Sequence, residues 1–222
     1  MAQIALPFGL AARPAMGRSD FFVSGSNALA LALIDRWPDW QPRACVIAGP
    51  TGSGKSHLVH VWQSRSAALV VPASEAAKVS ADAAGNAPLA LEDLDDALAG
   101  GLDPAIVFHL FNRVSATGHG FLATSRTPPA RWQISLPDLA TRMRGALFAE
   151  IAPPDDALLA AVLLKHFADR QLKVAENLVP YLVPRLERSL AAAARIAARL
   201  DEAALIAKKP VTIALARDIL GE

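Results

Sequence analysis

With 222 residues, 53% of them apolar and 19% charged, the chain is long enough for an α/β domain and a small second domain, each with a buried core. Its 22 basic and 21 acidic residues leave a net charge of +1, which argues against tight autonomous DNA binding. No segment reaches the ~20 uninterrupted apolar residues that a membrane span needs, and the N-terminus carries no signal-peptide pattern. The single cysteine, Cys45, reads as a small buried hydrophobe in a reducing compartment. A soluble, cytoplasmic protein with no membrane partner is expected.

Residues 1–20 are apolar but irregular, broken by Pro7, Gly9, Pro14 and Gly17, and form an arm ahead of any periodic element. Within it, Gln3-Ile4-Ala5-Leu6-Pro7-Phe8 suits docking of an extended peptide into an apolar pocket. Simple packing of Leu6 and Phe8 onto the following domain is the alternative reading. An apolar run over residues 28–34 predicts a helix that follows the capping residues Ser26 and Asn27 and ends before Pro38.

The stretch from Ala44 to Ala48 reads as a buried strand, and residues 57–62 have helical spacing. Between them, Gly49-Pro50-Thr51-Gly52-Ser53-Gly54-Lys55-Ser56 satisfies the phosphate-loop pattern at every fixed position, in the strand–loop–helix context that the motif requires. The glycines let backbone N–H groups turn inward around a phosphate, and the following helix, with His57 in its first turn, aims its positive end at the same anion. Lys55 is expected at the β- and γ-phosphates, and the Ser56 hydroxyl at Mg²⁺.

Residues 67–71 predict a second buried strand closed by Pro72, and 73–87 a loose connection with room for a short helix. The next strand, over 88–91, ends in Glu92-Asp93, at the carboxyl end where open α/β sheets place ligand groups. This is a Walker B candidate that would serve the Mg²⁺, although the two carboxylates could also be a solvated strand end or a cap for a helix over 94–99. A helix opened by Asp103-Pro104 runs to about Thr117, and a strand over 120–124 ends in Thr124-Ser125, whose hydroxyls would sit beside the phosphates. After Pro128-Pro129, a short helix over 137–143 and a fifth strand over 146–151 complete a parallel sheet covered on both faces.

Pro153-Pro154 marks a boundary, beyond which the pattern is helical over 155–171, 176–186, 188–207 and 212–220. The expected organisation is therefore an arm over 1–20, an α/β domain over 21–152 and a helical domain over 153–222. His57, His60, His109, His119 and His166 are too scattered to suggest a metal site. Trp37, Trp40, Trp62 and Trp132 lack interleaved basic residues and are expected in packing roles.

A phosphate-loop α/β domain followed by a small all-α lid resembles the AAA+ family. Along nearly the whole chain the sequence is similar to the DnaA replication initiators, and more closely to their short Hda-type relatives. The residues that carry the likeness are Phe22-Val23-x-Gly25, the phosphate loop, Leu91-Glu92-Asp93, Ala123-Thr124-Ser125-x-x-Pro128-Pro129, Leu139-x-x-Arg142, Ile151-x-x-Pro154 and Arg188-Ser189-Leu190. The resemblance implies that Phe22 and Val23 border an adenine, that Thr124 stands at the sensor 1 position, that Arg142 is an arginine finger acting in trans, and that Arg188 is the sensor 2 arginine of the lid. It further implies that Gln3, Leu6, Pro7 and Phe8 dock on the DNA polymerase sliding clamp, so that DNA is met only through the clamp. The initiators extend beyond this module on both sides, which implies a regulatory partner of DnaA rather than an initiator. Glu92 stands where the initiators have an aspartate, which implies slow self-hydrolysis and bound ADP or ATP, with ADP favoured. Self-association is left open. A self-sufficient AAA+ ATPase, such as a helicase loader or remodelling motor, is the competing expectation.

Overall fold

The computed structural model describes residues 21–207 and 209–221; the arm residues Gln3, Leu6, Pro7 and Phe8 lie outside them. Five parallel strands form one sheet: β1 (Ala44–Ala48), β2 (Leu69–Pro72), β3 (Leu89–Glu92), β4 (Phe121–Ser125) and β5 (Leu147–Glu150), in the spatial order β2-β3-β4-β1-β5. The ladders run from Ala44 opposite Phe121, Cys45 opposite Leu147, and Leu89 opposite both Leu69 and Phe121.

The interior strands are apolar up to the polar carboxyl ends of β3 and β4 because helices cover both sides of the sheet, and alternation then sorts their side chains between two cores. Cys45 and Ile47 of β1, Ala90 of β3 and Leu122 of β4 face one core with helices α1 (Ala28–Asp35) and α2 (Lys55–Ser66). Ala44 and Val46, Leu89 and Leu91, and Phe121 and Ala123 face the other, which is filled from α3 (Ala81–Asn86), α4 (Leu94–Ala99), α5 (Pro104–Ala116) and α6 (Pro137–Arg144). Burial pushes the Cys45 thiol up to about 12, so at neutral pH it is a neutral packing atom, as its sequence context suggests.

A third core belongs to the C-terminal helices α7 (Asp156–Asp169), α8 (Leu178–Leu182), α9 (Leu190–Ala207) and α10 (Ile213–Leu220). Helices α7 and α10 start on side-chain caps: Asp155 accepts the Leu158 N–H at 2.7 Å and Thr212 accepts the Leu215 N–H at 3.3 Å.

Local departures from the expectations have physical causes. Strand β2 is half-buried rather than buried because it is an edge strand, and that position is also what admits Pro72 into it. Ala67, expected in this strand, instead ends α2 in the left-handed region at φ 53°. Within the connection over 73–87 the expected short helix is α3, which Ser80 caps by accepting the Ala83 N–H at 3.2 Å, and a 3₁₀ helix over Ala73–Lys78 precedes it. Helix α8 is short, passing at Val183 into a 3₁₀ turn that contains Pro184. Helix α9 starts at Leu190 rather than Arg188, because Ser189 accepts the Ala192 N–H at 3.3 Å and so occupies the cap. Asn27 does not cap α1. Its amide instead closes the preceding turn, donating to the Phe22 carbonyl at 2.9 Å while its oxygen accepts the Ser24 N–H at 2.9 Å.

Three of the four tryptophans pack together in the core of α1 and α2, and Trp132 lies in the core on the other side of the sheet. Trp40 stacks on Trp62 with ring centroids 5.4 Å apart, and Trp37 meets both edge-on at 5.0 and 5.4 Å. The Trp40 indole N–H donates to the Leu33 carbonyl at 2.7 Å. Gly120 makes room for this cluster, since a Cβ there would meet the Trp37 ring at 2.2 Å. Gly120→Ala is therefore expected to destabilise the protein by about 1–3 kcal/mol through overpacking, with altered tryptophan fluorescence. Urea unfolding measures this, and an unchanged midpoint would mean that Trp37 moves aside at no cost.

Candidate functional site

The carboxyl end of β1 carries the phosphate loop, and the loop's shape follows from its glycines. Gly52 and Gly54 have φ of +73° and +104°, conformations that side-chain-bearing residues rarely adopt. Gly49 lies so close to the chain at Ile151 that a Cβ would meet that carbonyl oxygen at 2.8 Å. Helix α2 begins at Lys55 with Gly54 as its N-cap and no capping side chain, so its first-turn N–H groups are left for an anion. The Lys55 ammonium donates to the Gly49 and Pro50 carbonyls at 2.8 and 3.1 Å. These two bonds fix its position and leave a further N–H for a ligand. Burial pulls the Lys55 pKa below its ordinary value, opposed by the nearby Asp93 and Asp95 carboxylates.

A cavity of about 400 Å³ opens over this loop, between the α/β layer and the C-terminal helices. Of the residues expected in the site, Phe22, Thr51, Gly52, Gly54, Lys55, Ser56, His57 and Asp93 line it. Phe21 packs edge-on against His57 at 5.1 Å and sets the adjoining wall. Pro50 and Val23 are exposed beside the loop without lining the cavity, and Ser53 is buried beneath it with no partner for its hydroxyl among the described residues.

The acidic strand end is built differently from a simple pair of ligands. Asp93 stands at φ 55° and donates its N–H to the Thr124 hydroxyl at 3.0 Å. Thr124 is itself buried and does not line the cavity. Glu92 faces a neighbouring cleft that it shares with Asp93, Asp96 and Ser74. Among the described residues no three His, Cys, Asp or Glu gather as a metal site. A cation here would be held by the oxygens of Ser56 and Asp93 together with those of a phosphate ligand, a donor set that suits Mg²⁺.

Two expected arginines stand outside the cavity. Arg188 is half-exposed and pairs with Asp156 on α7. Arg142 is exposed on α6, with its guanidinium 5.7 Å from the centroid of the Phe111 ring. The sequence reading missed the residues that the helical lid contributes: Val162, Lys165, His166 and Asp169 from α7, and Leu190, Ala191 and Ala194 from α9. It also missed Arg126, just past β4. Apart from Leu190, which belongs to the Arg188-Ser189-Leu190 stretch, none of these lies in a local pattern; only the fold brings them to the loop. Lid and loop are joined directly, the Gly52 carbonyl accepting the Leu190 N–H at 2.9 Å.

Burial, reinforced by the charge of Arg170 and Lys165 and opposed by Asp169, lowers the His166 pKa below its ordinary 6.5. The unfolded chain therefore binds this proton more readily than the folded one. The stability linked to neutral His166 is present above about pH 6.5 and is lost as pH falls below it. His166→Gln should flatten the acid side of the stability profile. Urea midpoints measured through this window test it, and an unchanged slope would assign the titration elsewhere.

The family model described as the lid domain of Hda matches residues 155–220. The chromosomal replication initiator protein DnaA of Thermomicrobium roseum is 27% identical over 231 residues, an alignment that covers 90% of this chain and 48% of that protein. The chain thus spans about half the length of this relative. Domain III of the Thermotoga maritima replication initiation protein DnaA superposes with a TM-score of 0.82 at 16% identity, covering 94% of this chain and 96% of that one. A replication initiator DnaA bound to AMPPCP and single-stranded DNA gives a TM-score of 0.74 at 15% identity, covering 88% and 69%. The sheet, the loop at the end of β1 and the helical unit beside it give the chain the fold of DnaA domain III, and its C-terminal helices match the lid domain of Hda.

Proposed function

We propose that the chain is a regulator of replication initiation that holds an adenine nucleotide, docks on the DNA-loaded sliding clamp and stimulates hydrolysis of the ATP bound by DnaA. The observation that carries this reading is the position of Arg142, exposed on α6 and outside the cavity that contains Lys55. A guanidinium so placed is available to another molecule's phosphates rather than to its own. The likeness to DnaA, one structure of which is bound to AMPPCP, supports both a nucleotide in the cavity and an initiator as the partner.

In this reading the loop amides, Lys55 and Ser56 hold the phosphates, and the wall around Phe22 and His57 holds the base. A bound Mg²⁺ would neutralise phosphate charge between Ser56 and Asp93. Glu92 faces the neighbouring cleft instead, in keeping with slow self-hydrolysis and ADP as the resident nucleotide. Arg142 keeps its planar fork presented by lying against Phe111. It supplies the charge that stabilises phosphoryl transfer in the partner's site, where lysine, a point charge, would serve poorly.

Arginine fingers contribute about 10³–10⁵ in rate in other phosphoryl-transfer systems, so Arg142→Ala should fold and bind nucleotide normally yet lose its stimulation of hydrolysis by DnaA. The measurement is ATP hydrolysis by purified initiator with clamp and DNA, with and without this protein. Stimulation retained by the variant would move the finger to another residue, with Arg144 next in line. Rapid ATP turnover by the chain alone would mark it as a self-sufficient motor instead.

The arm sequence Gln3-Ile4-Ala5-Leu6-Pro7-Phe8 supplies the clamp contact in this proposal. Deleting residues 1–8 should abolish clamp binding and leave nucleotide affinity intact, since anchors of this kind each contribute more than ~1–2 kcal/mol. Surface-immobilised clamp reads this out, and equal affinity of the truncated chain would return Leu6 and Phe8 to a packing role.

A further inference from the structure

The hydroxyl expected at the phosphates, that of Thr124, is buried and accepts the Asp93 N–H. The same segment nevertheless sends a charge into the cavity. Immediately after β4 the chain turns outward at Arg126, and Arg126 lines the cavity with Lys55, Ser56 and Asp93. Its backbone is riveted in place. The Arg126 N–H donates to both oxygens of the Asp95 carboxylate at 3.1 and 3.0 Å, and the Thr127 N–H and hydroxyl donate to the same carboxylate at 3.0 and 2.9 Å. Asp95 is thereby engaged, and the Arg126 side chain springs from a fixed point.

The guanidinium has a different and weaker anchor. Its Nε lies 2.8 Å from an Asp96 carboxylate oxygen, an ion pair whose side chains are 57% and 44% exposed. Such pairs contribute little to stability because water screens them. The two Nη groups carry no hydrogen bond to a described residue, and the Arg126 charge is close enough to Lys55 to oppose its protonation. At this end Asp93 lines the cavity, and the charges of Asp93, Asp95 and Asp96 all act on Lys55, so a polyanion entering here meets a field that Lys55 only partly offsets.

We propose that Arg126 is a second phosphate-binding cation of this site, held ready by Asp96 and transferred to the outer phosphate of a nucleoside di- or triphosphate when one binds. The inference rests on the nucleotide reading above and adds to it a residue that counts phosphates. A guanidinium exchanges an exposed carboxylate for a phosphate readily, because it can make forked contacts to the phosphate oxygens while the carboxylate returns to water. Its contribution should therefore rise with the length of the phosphate chain and vanish for the bare nucleoside.

Competition against a fluorescent adenine nucleotide, with unlabelled adenosine, AMP, ADP and ATP as the probes, tests this on the full chain. Arg126→Ala should weaken ATP and ADP by about tenfold or more, the size of one charge-assisted contact, and leave adenosine within about twofold. Asp96→Asn should tighten ATP a few-fold when Arg126 is present and have no effect in the Arg126→Ala background. An Arg126→Ala chain that binds ATP as the parent does, while Lys55→Ala loses it, would overturn the proposal and leave the nucleotide site standing. Equal losses for adenosine and ATP would overturn it too, since they would mark Arg126 as structural. Failure of the parent chain to bind any of the four would instead remove the nucleotide reading itself.

Discussion

Strand β1 is buried at every residue, with β4 and β5 hydrogen-bonded along its two sides and a helical layer against each face. A strand confined in this way has no freedom to slide or twist, and so its carboxyl end presents the Gly49–Ser56 loop at one place. The Lys55 ammonium, tied to two carbonyls of that loop, holds the turn closed from inside. Everything proposed for the site depends on this coupling. The sheet supplies rigidity, and the loop converts it into a fixed array of N–H donors in the crevice outside the strand ends.

The second constraint is the seam between loop and lid. The Gly52 carbonyl takes the first N–H of α9, and a Cβ at Gly52 would meet the Ser189 hydroxyl at 2.5 Å and the Ala191 side chain at 3.0 Å. Glycine is needed there for its backbone angle and for this close approach alike. An eighteen-residue helix is thereby hinged on the segment that faces the phosphates. The same contact sets the place of Leu190, Ala191 and Ala194 on the cavity wall.

Charge is arranged in layers at the phosphate end of the cavity. Asp95 is engaged in backbone geometry, Asp96 is paired with an exposed arginine, and Asp93 is left on the cavity wall. Past the Walker B candidate Glu92-Asp93, the first turn of α4 therefore adds two carboxylates with separate jobs, Asp95 bracing the turn after β4 and Asp96 pairing with Arg126. Arg142 and Arg188 sit outside this layered arrangement, one against an aromatic ring and the other against a carboxylate of α7.

The phosphate loop was legible because all its determinants are local: a strand, a glycine-spaced turn and a helix follow one another without interruption, and the spacing itself encodes the backbone angles. The apolar strands and the helices of the lid were legible for a similar reason, since burial on one or two faces imposes its period on contiguous residues. Strand order was not, because any apolar parallel strand can pair with any other until crossover helices have been packed. The depth of β2 and β5 followed from that order, both being edges. The remaining walls of the cavity were equally hidden. Lys165 and His166 sit on a helix whose pattern announces only its buried side, and Arg126 reads in sequence as one more surface charge. What makes them parts of a site is the folding of the lid onto the loop and the turn after β4, contacts between residues far apart in the chain that leave no periodicity in it.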